Sequence, residues 1–135
     1  MLFWRFFAKV SLSFIDYFMY RTHTCGELSL KNVGQEVMLA GWVHKRRDFG
    51  SLAFVDLRDR YGLTQVVFNP EQMWDMSVVE GLKYEYVISL KGTVVKRDEK
   101  SINSDMSTGE IEVLATSVEV LSTAKAMPFE IFETA

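Results

Sequence analysis

Five short runs in which apolar and polar positions alternate dominate the middle of this chain, and turn signals separate them. Over residues 36–45, Val37, Leu39, Gly41 and Val43 fall on one side, with Met38, Ala40, Trp42 and His44 on the other. Asp48-Phe49-Gly50 punctuates a turn, a second strand covers 52–57, and Tyr61-Gly62 turns tightly into a third strand over 63–68. Asn69-Pro70 stops that strand, and Pro70 suits the first turn of a helix over about 71–82. A long fourth strand is expected over 84–97, with Gly92 marking a bend or bulge. A polar loop over 98–109 leads into a fifth strand over 110–121. Upstream, residues 25–34 read as a short turn or helix ended by Gly34.

The order β-β-β-α-β-β predicts an all-β fold: a five-stranded OB-fold Greek-key barrel with a helix between strands three and four. A bent long strand helps a small sheet close, and closure removes vulnerable edges. The chain has 135 residues, enough for one domain with a real core. We expect the barrel over 19–122 and an exit linker over 123–135, where Met127-Pro128 breaks any regular element. Residues 1–18 differ in composition from the rest. Phe3, Phe7, Val10, Phe14 and Phe18 recur at helical spacing, but Arg5, Lys9 and Asp16 interrupt them. That stretch is too short and too charged for a membrane helix, and it lacks the order of a signal peptide. It reads as an atypical extension upstream of a second possible start at Met19, with an amphipathic targeting peptide as the alternative.

Composition narrows the chemistry. A single cysteine, Cys25, excludes an intrachain disulfide, and with only His23 and His44 beside it no structural metal cluster is expected. One cysteine also fits a reducing, cytoplasmic setting. Phosphate-binding, dinucleotide, metalloprotease and serine-hydrolase motifs are all missing, so no catalytic residue is assigned. The net charge of −3 means that any nucleic-acid site must be a local patch. Two segments could supply one, although charge alone favours two solvated loops: Lys45, Arg46, Arg47, Arg58 and Arg60 in the first, and Lys91, Lys96, Arg97 and Lys100 in the second.

OB barrels bind single strands on the face of strands two and three, using aromatic platforms for bases and Arg or Lys for phosphate. If Ala53, Val55 and Leu57 point inward, then Leu52, Phe54 and Asp56 face outward. Phe54 could then stack on a base, and Gln65 on strand three could pair with a base edge through its amide. Pattern alone favours plainer alternatives: Phe54 in the core and Gln65 an ordinary strand residue. Arg47 and Arg97 could each reach RNA as a planar fork, or form surface ion pairs with Asp48 and Asp98. Asn103 in the polar loop could be a contact or only turn chemistry. Glu112 makes sense in a basic site only as an acceptor for base donors; otherwise it is an exposed strand position. Trp42 is expected to pack in the barrel, Gly41 to allow a close approach, and Cys25 to be small and buried.

Longer runs carry a resemblance. Tyr20-Arg-Thr-His-Thr-Cys-Gly-Glu-Leu28, Ala40-Gly-Trp-Val-His-Lys-Arg-Arg-Asp-Phe-Gly50 and Phe54-Val-Asp-Leu-Arg-Asp-Arg-Tyr-Gly62 resemble the N-terminal anticodon-binding domain of bacterial-type aspartyl-tRNA synthetases. Gln65-Val-Val-Phe68, Gly92-Thr-Val-Val-Lys-Arg-Asp-Glu-Lys100 (with Val95 and Lys96 in its middle) and Thr108-Gly-Glu-Ile-Glu-Val113 extend the similarity over about Met19 to Ile131. The resemblance implies binding of the anticodon loop of tRNA for aspartate, sequence G-U-C. It places Phe54 against the middle uracil with Gln65 bonded to it, and Arg47, Arg97 and Glu112 on anticodon bases and nearby backbone, with Asn103 assisting. It reverses the plainer alternatives for Phe54, Gln65 and Glu112. Ser101 and Phe49 depart from common family residues, in neighbourhoods that bear on whether tRNA for asparagine is also accepted.

The resemblance further implies a homodimeric parent enzyme that activates aspartate with ATP and Mg2+, no membrane association, and a class II catalytic domain beyond the residues present. This chain alone is therefore expected to bind no cofactor and to catalyse nothing. Two rivals remain: a stand-alone single-stranded nucleic-acid binder with no anticodon preference, and a subunit-interaction module.

Overall fold

The computed structural model describes residues 21–123. The extension expected over 1–18 lies outside the described residues, as does the exit linker beyond its first residue. Five strands form the fold: β1 (Glu36–Phe49), β2 (Leu52–Asp59), β3 (Gly62–Phe68), β4 (Val87–Lys96) and β5 (Ile111–Ser122). One short helix, α1 (Ser77–Glu80), stands between β3 and β4. The strands close in the order β1-β2-β3-β5-β4. Neighbours are antiparallel except for β3 and β5, which meet in parallel at Val66↔Val113 and Val67↔Leu114. This is the expected OB barrel.

Alternation decides the core. Val37, Leu39 and Val43 of β1, Ala53, Val55 and Leu57 of β2, and Ile111, Val113 and Ala115 of β5 all point inward and are buried. Phe54 and Asp56 accordingly lie on the outer face. Cys25 is buried, as expected, and packs against this core. Gly41 and Gly92 sit where side chains cannot: a Cβ would run into the Arg58 carbonyl oxygen at the first and the Leu114 carbonyl oxygen at the second. The pairing of β4 with β5 shifts register between Lys91 and Gly92, which is the bend expected there.

Several boundaries differ from expectation. β1 continues through Lys45–Asp48 to Phe49, past a register shift between Val43 and Lys45. Those polar residues show no apolar alternation, but their backbone pairs with Ala53 to Asp56, so pairing with β2 prolongs the strand. The helix shrinks from about twelve expected residues to the four of Ser77–Glu80. Upstream of it, the Asn69 side chain accepts the Glu71 N–H and the Asp75 side chain accepts the Ser77 N–H, so side-chain turns replace helical bonds. β4 starts at Val87, because Glu85 adopts a left-handed backbone (φ 68°) while donating its N–H to Val43. Trp42 packs outside the barrel wall, half-buried against Ala40 and Val87, because residue 42 falls on the outward side of the alternation.

The pair Asp56 and Asp59 divides between two tasks. Asp59 is 2% exposed and forms an ion pair with buried Arg21 at 3.5 Å. It also accepts the backbone N–H groups of Cys25, Tyr61 and Gly62 at 2.8–3.0 Å. Thr64 completes this clasp by donating to the Cys25 carbonyl at 2.6 Å. Asp56 lies three residues away on the outer face, where it borders the site described next.

Candidate nucleic-acid interface

The hairpin of β1 and β2 sets Arg47 directly opposite Phe54. Cross-strand partners share a face, and the Arg47 guanidinium lies over the Phe54 ring, 5.3 Å from its centroid. On the next hairpin Asp56 faces Gln65. The parallel junction of β3 with β5 then brings Gln65 beside Glu112. The Gln65 Nε2 group donates to Glu112 Oε1 at 2.8 Å, and Arg47 Nη2 donates to Gln65 Oε1 at 3.4 Å. Gln65 is only 6% exposed, and these two bonds fix which end of its amide points which way. Phe54, Arg47, Gln65 and Glu112 therefore form one connected row drawn from four strands.

A cleft of about 390 Å³ opens beside this row. Arg47, Asp56 and Gln65 form its floor, and Lys45 borders it from β1. Arg97, Ser101, Asn103 and Met106, from the connection between β4 and β5, form the opposite wall. Its size lies within the roughly 300–1,000 Å³ of ordinary ligand clefts. Three cations and the Asp56 carboxylate line it, and the Glu112 carboxylate is bonded to Gln65 of its floor. Such a site can attract phosphate while keeping acceptors for base N–H groups.

The six residues singled out from sequence thus gather in one place. Phe54 is half-buried and presents an aromatic surface; Arg47 is exposed. Asn103 is exposed on the loop, where its side-chain oxygen accepts the Asp105 N–H at 3.0 Å. Arg97 differs from expectation. It makes no surface ion pair with Asp98; it is 5% exposed, and its donors are turned into the protein. Burial lowers its pKa below the usual arginine value, Glu112 and Asp56 oppose that shift, and Arg47 adds to it. Arg47 likewise does not pair with Asp48, which binds Arg46 at 3.1 Å. Lys45, Asp56, Ser101 and Met106 were not assigned as site residues from sequence. For Asp56 the signal was present, since it lies two residues from Phe54 on the same strand face.

A closed five-stranded barrel with an outward aromatic ring, a fixed amide and paired charges beside its β2–β3 face is the architecture of nucleic-acid-binding OB domains. The tRNA anti-codon family, described as an OB-fold nucleic acid binding domain, matches residues 37–121, and the chain belongs to that family. Among its relatives, the aspartate–tRNA(Asp/Asn) ligase of Rubrobacter xylanophilus is 56% identical over 112 residues, covering 83% of this chain and 19% of the relative. The ligase of the same name from Parvibaculum lavamentivorans is 49% identical over 113 residues, with 84% and 19% covered. The chain thus spans about a fifth of the length of these curated relatives. Similar solved structures include asparaginyl-tRNA synthetase from Pyrococcus horikoshii complexed with asparaginyl-adenylate, at 27% identity and TM-score 0.65, covering 84% of this chain and 25% of that one. Another is OBody AM2EP06 bound to hen egg-white lysozyme, at 27% identity and TM-score 0.66, covering 77% and 95%.

Proposed function

We propose that this barrel grips the anticodon loop of tRNA for aspartate, as the recognition module of an aspartate–tRNA ligase. The observation that carries the reading is the row Phe54–Arg47–Gln65–Glu112 beside the cleft. A splayed base stacks on Phe54, with the Arg47 guanidinium close to both ring and backbone phosphate. Gln65 retains one amide hydrogen and one oxygen lone pair beyond its internal bonds. Those suit uracil, whose N3–H needs an acceptor and whose carbonyl oxygen needs a donor. Glu112 has acceptor capacity left for a guanine or cytosine amino group. Stacking alone would be tolerant of sequence, so the amide and carboxylate supply the discrimination.

The identity of the close relatives supports a parent reaction in which aspartate is joined to tRNA at the expense of ATP. The ATP and Mg2+ chemistry would belong to the four-fifths of the relatives' length that this chain does not span, and the parent is proposed to act as a homodimer. Among the described residues, no group of three or more His, Cys, Asp or Glu could hold a metal ion. No helix there is long and apolar enough to cross a membrane. The setting proposed for the parent is the cytoplasm, where translation takes place.

The test is binding of the full 135-residue chain to a G-U-C anticodon stem-loop and to one with the middle base changed, over a range of salt. Preference for G-U-C supports the reading. Equal and steeply salt-dependent binding to both would replace it with a sequence-tolerant single-strand binder.

A further inference from the structure

Arg97 lies one residue past the end of β4, and three of its five guanidinium N–H donors go to the chain segment that follows it. Nε donates to the Ile111 carbonyl at 2.8 Å, Nη1 to the Ser101 carbonyl at 3.0 Å, and Nη2 to the Met106 sulfur at 3.8 Å. Its backbone N–H donates to Glu110 at 2.9 Å. These partners lie at the far end and in the middle of the connection between β4 and β5. One other tie reaches the barrel, near the far end of the connection: the buried Thr108 hydroxyl donates to the Leu63 carbonyl of β3. Residues 98–105 are all exposed, and only Met106, Thr108 and Gly109 turn inward. Its own backbone bonds, such as Asn103 N–H to Gly109 and Met106 N–H to Asn103, close small turns without tying them to the barrel.

We propose that Arg97 is a positioning residue that pins this connection so that Asn103 and Ser101 form the far wall of the cleft, and that it does not itself contact RNA. The inference rests on the anticodon reading above. Arg97 donates from three separate nitrogens spread across a planar fork, a reach that a lysine ammonium, donating from a single nitrogen, does not reproduce. The compensating charges come from the cleft side: Asp56 on β2 and Glu112 on β5, with Arg47 opposing them. The residue that anchors the wall is therefore balanced by residues of the floor.

The experiment uses the full chain as wild type, R97Q, N103A, R97K and the double variants with N103A, with the G-U-C stem-loop as probe. R97Q is expected to weaken binding roughly tenfold. Adding N103A in that background should cost under about twofold, because both act through one wall. The slope of log K against log salt should stay at the wild-type value. A slope smaller by about 0.7–0.9 would mean that a phosphate contact was lost, and with losses that multiply it would overturn the proposal. If R97Q does not melt cooperatively, R97K takes its place in the cycle: a loss like that of N103A supports positioning, and near wild-type binding overturns it. Amide hydrogen exchange over 99–109 in the free proteins decides independently of RNA. Exchange at least about tenfold faster in R97K supports the pinning role, and unchanged exchange removes it. Failure of the wild type to prefer G-U-C would refute the anticodon reading while leaving the exchange result standing.

Discussion

Gln65 and Glu112 are bonded at 2.8 Å across the parallel junction of β3 and β5, so a side-chain amide is oriented by a carboxylate 47 residues away in sequence. Glu112→Ala should release the amide, letting Gln65 present either end to a base. The expected outcome is a fall in preference for G-U-C over the altered loop by about tenfold, roughly one charge-assisted hydrogen bond. Glu112→Gln keeps an acceptor for Gln65 and should retain more of the preference. Competition binding with the two stem-loops checks both. Equal losses for the two loops would mean that Glu112 serves affinity alone.

Phe54 offers its ring on the outer face beneath Arg47. Phe54→Ala should weaken stem-loop binding by about 1–3 kcal/mol, the usual worth of a stacked base. Phe54→Trp should keep most of it. Isothermal titration at one salt concentration separates the two. Unchanged affinity in the alanine variant would sink the stacking assignment.

Arg47 is the exposed cation nearest the stacking ring, in contrast to buried Arg97. Arg47→Ala should lower the salt slope of binding by about one, the mark of a lost phosphate contact. Arg47→Lys should restore the slope but not the bond to Gln65, leaving discrimination impaired. Fluorescence titrations at four or five salt concentrations measure both quantities.

The Asp59 clasp makes a prediction about stability. Asp59→Ala leaves Arg21 without its buried carboxylate, and Cys25, Tyr61 and Gly62 without their acceptor. Breaking a buried pair in this way typically costs about 3–5 kcal/mol. Urea unfolding should show a much lower midpoint. A midpoint near wild type would mean that water enters and replaces the carboxylate.

Cys25 should make stability fall at alkaline pH. Burial, then the neighbouring Asp59 charge, pushes the thiol well above its usual range, and Arg21 only partly opposes this. A raised folded-state pKa means that the thiol's contribution is complete below the unfolded thiol pKa. It is lost as pH rises from there towards the folded value, because the unfolded chain releases its proton first. The loss is at most about 1.4 kcal/mol per pH unit. Urea midpoints between pH 8 and 10 should fall more steeply for the wild type than for Cys25→Ala. In the same range, thiol reagents should label native Cys25 slowly.

The parts of this molecule legible in its sequence are those where one residue's environment follows from its neighbours in the chain. Ala53, Val55 and Leu57 alternate cleanly, so the outward placement of Phe54 and Asp56 could be read directly. Gly92 announced its bend. The continuation of β1 through Lys45–Asp48 could not be seen, because what prolongs it is the backbone of β2 and no apolar pattern marks it. The helix was overestimated because Pro70 and scattered apolar residues resemble a helix start, while Asn69 and Asp75 close turns instead. The burial of Arg97 was hidden for a similar reason. Its acceptors are carbonyls of Ser101 and Ile111, and a backbone carbonyl has no sequence signature.

The junction of β3 with β5 joins only two facing pairs, Val66 with Val113 and Val67 with Leu114, whereas β4 and β5 run together over most of their length. It is the narrowest seam of the barrel, and the Gln65–Glu112 bond crosses it. A base held by both residues would act as a stitch there, so bound RNA and barrel closure reinforce each other. Drift in either residue would then be felt twice, once as misreading and once as a looser seam. Under the anticodon reading, recognition and foldedness at this spot would depend on one and the same bond.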